Sequence, residues 1–132
     1  MQVAWVQMIN SKLVFLPVQK ISDIRGVLSV LEMPNFETKR FFWIRSLDPL
    51  LKRGGHGHKE CTQILFAVSG EIELEVVNVG RSQKVVLNES SDALLVPPGY
   101  WVEMKFKDEN SVLGVLADRV YEENDYILSK PN

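Results

Sequence analysis

Arg53-Gly54-Gly55-His56-Gly57-His58-Lys59-Glu60-Cys61-Thr62-Gln63-Ile64-Leu65-Phe66-Ala67-Val68-Ser69-Gly70-Glu71-Ile72-Glu73-Leu74-Glu75-Val76 is the stretch whose reading decides the fold. Its last six residues alternate strictly, with Ile72, Leu74 and Val76 on one face and three glutamates on the other, as in a half-buried strand. Ser69-Gly70 marks a turn, and Thr62 to Val68 before it is a mostly apolar strand. The two histidines are the only ones in the chain. A period of two sends both imidazoles to the same side of a strand, a few ångströms apart. Flanking glycines leave that side open to close approach.

Outward from this stretch, Gly and Pro divide the chain into short segments that favour strands. Met1–Met8, Lys12–Leu16 and Leu28–Leu31 come first, the last running into a turn at Met33-Pro34-Asn35. Arg40–Arg45 is aromatic and reads as a buried strand, and Ser46–Lys52 as a loop with Asp48-Pro49 as its turn. Asn78-Val79-Gly80 turns into a strand over Gln83–Leu87. Ala93–Val96 stops at Pro97-Pro98-Gly99, Trp101–Phe106 and Val112–Ala117 follow, and Tyr121–Leu128 has room for one short helical turn. About ten short strands without a sustained helical period predict an all-β sandwich or barrel, one domain over residues 1–132.

Composition narrows the function classes. Of 132 residues 45% are hydrophobic and 24% charged, ordinary for a globular chain. A net charge of −2 gives no basic footprint for nucleic acid, so an anionic ligand needs a local arginine or lysine cluster. No apolar run reaches the ~20 residues of a membrane helix, and no leader pattern is visible. The single cysteine, Cys61, is read as a packed residue in a reducing compartment, so the expectation is a cytoplasmic protein.

The histidine pair admits metal binding, proton transfer or a structural role. Strand-borne His-x-His followed by an apolar strand and Gly70 is similar to the first motif of the cupin jelly roll, and Pro97-x-Gly99 to the start of the second. The metal-binding pattern has Glu where Gln63 stands and His where Val102 stands. Two imidazoles without a carboxylate are too few protein ligands for a catalytic transition metal, so no metal and no other cofactor is expected. Proton transfer fits better, because each imidazole titrates near neutrality. Close neighbours disfavour double protonation, which suits one base and one acid.

Residues 53–59, Gln63 and Gly70 together resemble the Arg-Gly-x-His-x-His-(Lys/Arg) segment of the nucleotide-sugar 3,4-ketoisomerases. The likeness continues at Pro97-Pro98-Gly99-Tyr100-Trp101-Val102-Glu103 and at Leu116-Ala117-Asp118-Arg119-Val120-Tyr121-Glu122-Glu123-Asn124-Asp125-Tyr126-Ile127. With Lys39-Arg40-Phe41-Phe42 it spans most of the chain from about residue 20 onward. The resemblance implies a cupin-type double-stranded β-helix (jelly roll). It also implies metal-independent transfer of the keto group of dTDP-4-keto-6-deoxyglucose from C4 to C3, en route to 3-amino sugars, and a homodimer with exchanged strands.

On this reading His56 and His58 are the catalytic pair. Arg53 is a candidate for the diphosphate or a sugar oxygen, with Arg40 and Arg45 as further candidates. Trp101 is a candidate for stacking, while Glu103, on Trp101's face, Gln63 and Trp43 complete the expected substrate contacts. The family carries a tyrosine on the aromatic strand, where this chain has Trp43, Ile44 and Arg45. An indole N–H cannot act as a phenol. These departures favour a second reading, a non-catalytic nucleotide-sugar-binding cupin, and a metal-dependent cupin enzyme is a third.

Overall fold

A computed structural model describes residues 12–132, so the strand expected over Met1–Met8 lies outside the described residues. The strands are β1 (Val14–Leu16), β2 (Gln19–Asp23), β3 (Gly26–Val30), β4 (Arg40–Arg45), β5 (Arg53–His58) and β6 (Gln63–Ser69). They continue with β7 (Glu71–Asn78), β8 (Arg81–Asn88), β9 (Ala93–Val96), β10 (Trp101–Phe106), β11 (Val112–Ala117) and β12 (Tyr126–Ile127). One 3₁₀ turn, Glu123–Asp125, falls in the tail segment expected to hold such a turn. β2 and β12 are additions to the sequence reading.

Ten of these strands form two five-stranded antiparallel sheets, ordered β1-β9-β6-β11-β4 and β12-β5-β10-β7-β8. This is the expected all-β jelly roll. The alternation over Glu71–Val76 holds as read: Ile72, Leu74 and Val76 are buried between the sheets, among Leu65, Leu87, Leu94, Phe106 and Leu113. Val79-Gly80 closes the β7–β8 hairpin, with Gly80 in the left-handed region at φ 75°. A second apolar cluster of Leu16, Ile64, Ala93 and Leu95 lies against Leu31, Met33 and Phe36. β9 is therefore buried on both sides.

β4 departs from expectation. Its burial alternates, with Arg40, Phe42 and Ile44 partly buried and Phe41, Trp43 and Arg45 exposed. Among the described residues the strand is the edge of its sheet, and one of its faces is left uncovered by them.

The histidine strand is irregular where the glycines fall. Gly54 and Gly55 have φ of 80° and 78°. Pairing with β10 shifts there: Val102 opposes His56, Glu103 opposes Gly54, and Met104 opposes Arg53. The extra residue makes a β-bulge. In a regular strand Arg53 and His56, three apart, would face opposite ways. The bulge puts both opposite inward residues, Val102 and Met104, and so on one face.

Gly57, between the histidines, is needed for a different reason: a Cβ there would collide with the Tyr100 carbonyl and approach the Trp101 Cα to 3.2 Å. Gly57→Ala is expected to lower stability by about 1–3 kcal/mol, the range for overpacking. A fall in the urea midpoint relative to the wild type is the measurement; an unchanged midpoint would contradict this close packing.

Candidate active site

β4, β5, β6 and β10 enclose a cavity of about 310 Å³ bordered by Arg40, Phe42, Trp43, Arg53, His56, Gln63 and Tyr126, with Leu65, Val102 and Val115 among the apolar residues below. Five residues expected at the site, Arg40, Trp43, Arg53, His56 and Gln63, thus come together. Arg40 and Phe42 reach it on the inner face of β4, His56 and Arg53 on that of β5 across the bulge, and Gln63 at the start of β6, while Trp43 borders it from the exposed face of β4.

Three expected substrate contacts do not border this cavity. Trp101 and Glu103 alternate with the inward Val102 and Met104, so they lie on the outer face of β10. There Lys130 sits over the Trp101 ring at 5.1 Å, and Lys52 pairs with Glu103 at 3.4 Å. Arg45 is exposed on the outer face of β4 and does not border the cavity. Trp43 borders the cavity, yet its ring is 63% exposed and packs 5.7 Å from Phe41.

The two histidines have different surroundings. His56 borders the cavity and stacks on Tyr126 at 4.5 Å and 13°. His58, 9% exposed, does not border it. The ring centroids are 5.5 Å apart and nearly perpendicular. His58 Nδ1 lies 3.0 Å from the Asp125 carboxylate. That carboxylate also accepts the Glu60 and Cys61 backbone N–H groups at 2.7 and 3.3 Å. His58 Nε2 is buried without a partner among the described residues. Tyr126 opposes His58 in the β5–β12 pairing and meets it edge-on at 4.9 Å. Arg40 lies over the Phe42 and Tyr121 rings at 4.6 and 5.5 Å.

Asp125, Tyr126 and Tyr121 were missing from the residues assigned roles. All three stand in the tail segment that carries the family resemblance, but Asp125 is 67 residues from His58 and no local period links them.

Burial, and then the neighbouring His58, hold the His56 pKa below the usual histidine range against a smaller opposing pull from a backbone hydrogen bond to Gly54. His56 therefore stays neutral, a ready proton acceptor, to lower pH than a free imidazole. Burial pushes the Cys61 thiol up to about 11, with Asp118 adding to the effect, so it is inert as a nucleophile at neutral pH. His58, Cys61 and Asp125 place potential ligand atoms within 4.8 Å of one another. However, the thiol is held protonated and both Asp125 oxygens already accept hydrogen bonds, which disfavours a cation there.

A family model described as FdtA: WxcM-like, C-terminal matches residues 10–131. The chain belongs to this family. A curated relative, the TDP-4-oxo-6-deoxy-α-D-glucose-3,4-oxoisomerase of Aneurinibacillus thermoaerophilus, is 32% identical over 117 residues, 86% of this chain and 84% of that one. QdtA, a sugar 3,4-ketoisomerase from Thermoanaerobacterium thermosaccharolyticum solved with TDP, is 30% identical with a TM-score of 0.83, covering 90% of this chain and 89% of that one. A histidine-to-asparagine variant of QdtA has been solved with TDP-4-keto-6-deoxyglucose. The TDP-quinovose 3,4-ketoisomerase WlaRB from Campylobacter jejuni is 32% identical with a TM-score of 0.81, covering 90% and 94%.

The lowered His56 pKa carries a sign. Where a histidine's folded pKa lies below its unfolded value, the unfolded chain binds more protons as pH falls, so acidification below the ordinary histidine range costs stability. An NMR titration of the His56 ring should give a midpoint below that of a free imidazole. In His58→Asn the midpoint should move up but stay below the free value, because burial is the larger cause. A midpoint above the free value in the wild type would contradict the assigned environment.

Proposed function

We propose that this FdtA-family protein is a nucleotide-sugar 3,4-ketoisomerase that converts dTDP-4-keto-6-deoxyglucose to its 3-keto isomer. The carrying observation is that the His56 imidazole faces a cavity that also holds Arg40, Arg53 and Gln63, and its burial favours the neutral, proton-accepting ring. A C–H beside a ketone is acidic only when the developing enediolate is stabilised, and fixed cations and hydrogen-bond donors in a partly enclosed cavity provide that.

His56 takes the C3 proton. Arg53 and Arg40 hold negative charge, either the enediolate oxygen or the diphosphate, and Gln63 bonds a sugar oxygen. The Tyr126 phenol supplies the aromatic hydroxyl that β4 lacks, from the tail. A volume of about 310 Å³ lies at the low end for ligand pockets and suits the sugar ring, with the nucleotide reaching outward past the arginines. The whole chain acts as one cupin domain, in the cytoplasm.

The protein is also read as a homodimer. Among the described residues β2 and β3 pair only with each other, and Ile21, Val27 and Leu28 on this ribbon are 48%, 65% and 59% exposed. Two-stranded ribbons are marginal alone, and apolar surface of this kind marks association. Light scattering should give twice the 15.1 kDa chain mass, and Leu28→Lys should shift the population toward monomer. A wild type that stays monomeric at micromolar concentration would contradict the reading.

Incubation with dTDP-4-keto-6-deoxyglucose in heavy water, followed by NMR, should show the 3-keto isomer and deuterium at C4. His56→Asn should cut turnover by roughly 10²–10⁴-fold, the usual contribution of a general base, while TDP binding persists. Saturable TDP binding by the wild type with no exchange into any keto-sugar would point instead to a non-catalytic binding protein.

A further inference from the structure

With the carbon proton taken by His56, His58 still lacks a route to the substrate. His58 is the more buried ring and does not border the cavity. Its two nitrogens differ sharply. Nδ1 faces the Asp125 carboxylate, which can only accept, so Nδ1 must carry a hydrogen. In the neutral ring Nε2 is then a bare acceptor, and it is buried with no partner among the described residues. Such an orphan costs free energy unless water satisfies it. His58 borders a small void of about 10 Å³ together with His56, Gln63, Cys61 and Tyr100. That is close to the space of one water probe.

We propose that Asp125 is a positioning residue that holds His58 in the Nδ1–H tautomer, and that His58 exchanges protons with the cavity through a single water in this void. This deepens the ketoisomerase reading and rests on it. The proton count closes. His56 takes the hydrogen from C3, exchanges it with solvent, and later delivers a proton to C4. The O3 hydroxyl loses its proton toward the water, which passes one to His58 Nε2. The imidazolium is stabilised by Asp125, and the same path delivers a proton to O4. C3–H and O3–H are lost, C4–H and O4–H are formed, and both histidines end neutral. Cys61, with its thiol pushed up to about 11, does not compete as a proton donor at neutral pH.

Among the described residues, the other groups against His58 are the His56 and Tyr126 rings and the Cys61 thiol. None offers a fixed negative charge, since the thiol is held protonated at neutral pH. The tautomer is therefore set by Asp125.

Long-range ¹H–¹⁵N correlation on the wild-type protein should show neutral His58 with its hydrogen on Nδ1. In Asp125→Asn that preference should weaken, and kcat should fall by roughly 10²–10⁴-fold, as when the orienting carboxylate of a histidine is neutralised. KM should change little, and circular dichroism should remain that of the wild type. A crystal structure should show water bonded to Nε2 and near Gln63. His58 found as the Nε2–H tautomer in the wild type, or a dry void with Nε2 touching bound sugar, overturns the proposal. Both readouts come from the wild type, so they hold even where Asp125→Asn fails to fold. If no keto-sugar is turned over, the substrate reading fails while the tautomer measurement still decides the role of Asp125.

Discussion

The buried Asp125 carboxylate is the contact on which the arrangement of the site depends. It takes His58 Nδ1, the Glu60 N–H and the Cys61 N–H, while its backbone carbonyl takes the Lys59 N–H at 2.8 Å. Removing a carboxylate from water costs several kcal/mol unless donors surround it, and here three do. One residue thereby ties the tail of the chain to the turn that follows the histidine strand. β12 adds only two paired residues. Farther along, Lys130 binds Glu75 at 3.0 Å and the Asn132 carbonyl accepts the Gly80 N–H at 2.9 Å. The tail is laid across the outer face of the second sheet with Tyr126 held beside both imidazoles.

The same inward faces serve packing and chemistry. Leu65, Val102 and Val115 form the floor of the cavity, and Arg53, His56 and Gln63 extend from the strands that carry or adjoin them. A site built on strands is more rigid than one built on loops. The glycine bulge in β5 adds the one irregularity required, turning Arg53 to the histidine side. Gly57 then lets β10 approach closely enough to seat the pair.

The two histidines share a face and divide the work by burial. His56 meets the cavity, and its environment keeps it neutral. His58 sits behind it, paired with a fixed carboxylate. An isomerisation that moves one proton between carbons and one between oxygens suits two imidazoles that differ in this way.

By itself the sequence determined the all-β architecture, the turns at Ser69-Gly70 and Val79-Gly80, the inward set Ile72, Leu74 and Val76, and the shared face of His56 and His58. Those features are local: period two and turn chemistry act over a few residues. Along β10, alternation assigns Val102, Met104 and Phe106 inward, and it turns Trp101 and Glu103, expected as substrate contacts for stacking and a shared face, to the opposite side. β4 was ambiguous because both of its faces are apolar, so its pattern could not say which one the core would cover. The tertiary structure alone decided that Arg40 turns in and Arg45 out, and that a bulge realigns Arg53. It also brought Asp125 and Tyr126 to the histidines, since contacts across 67 residues arise from closure of the barrel and leave no periodic trace in the chain.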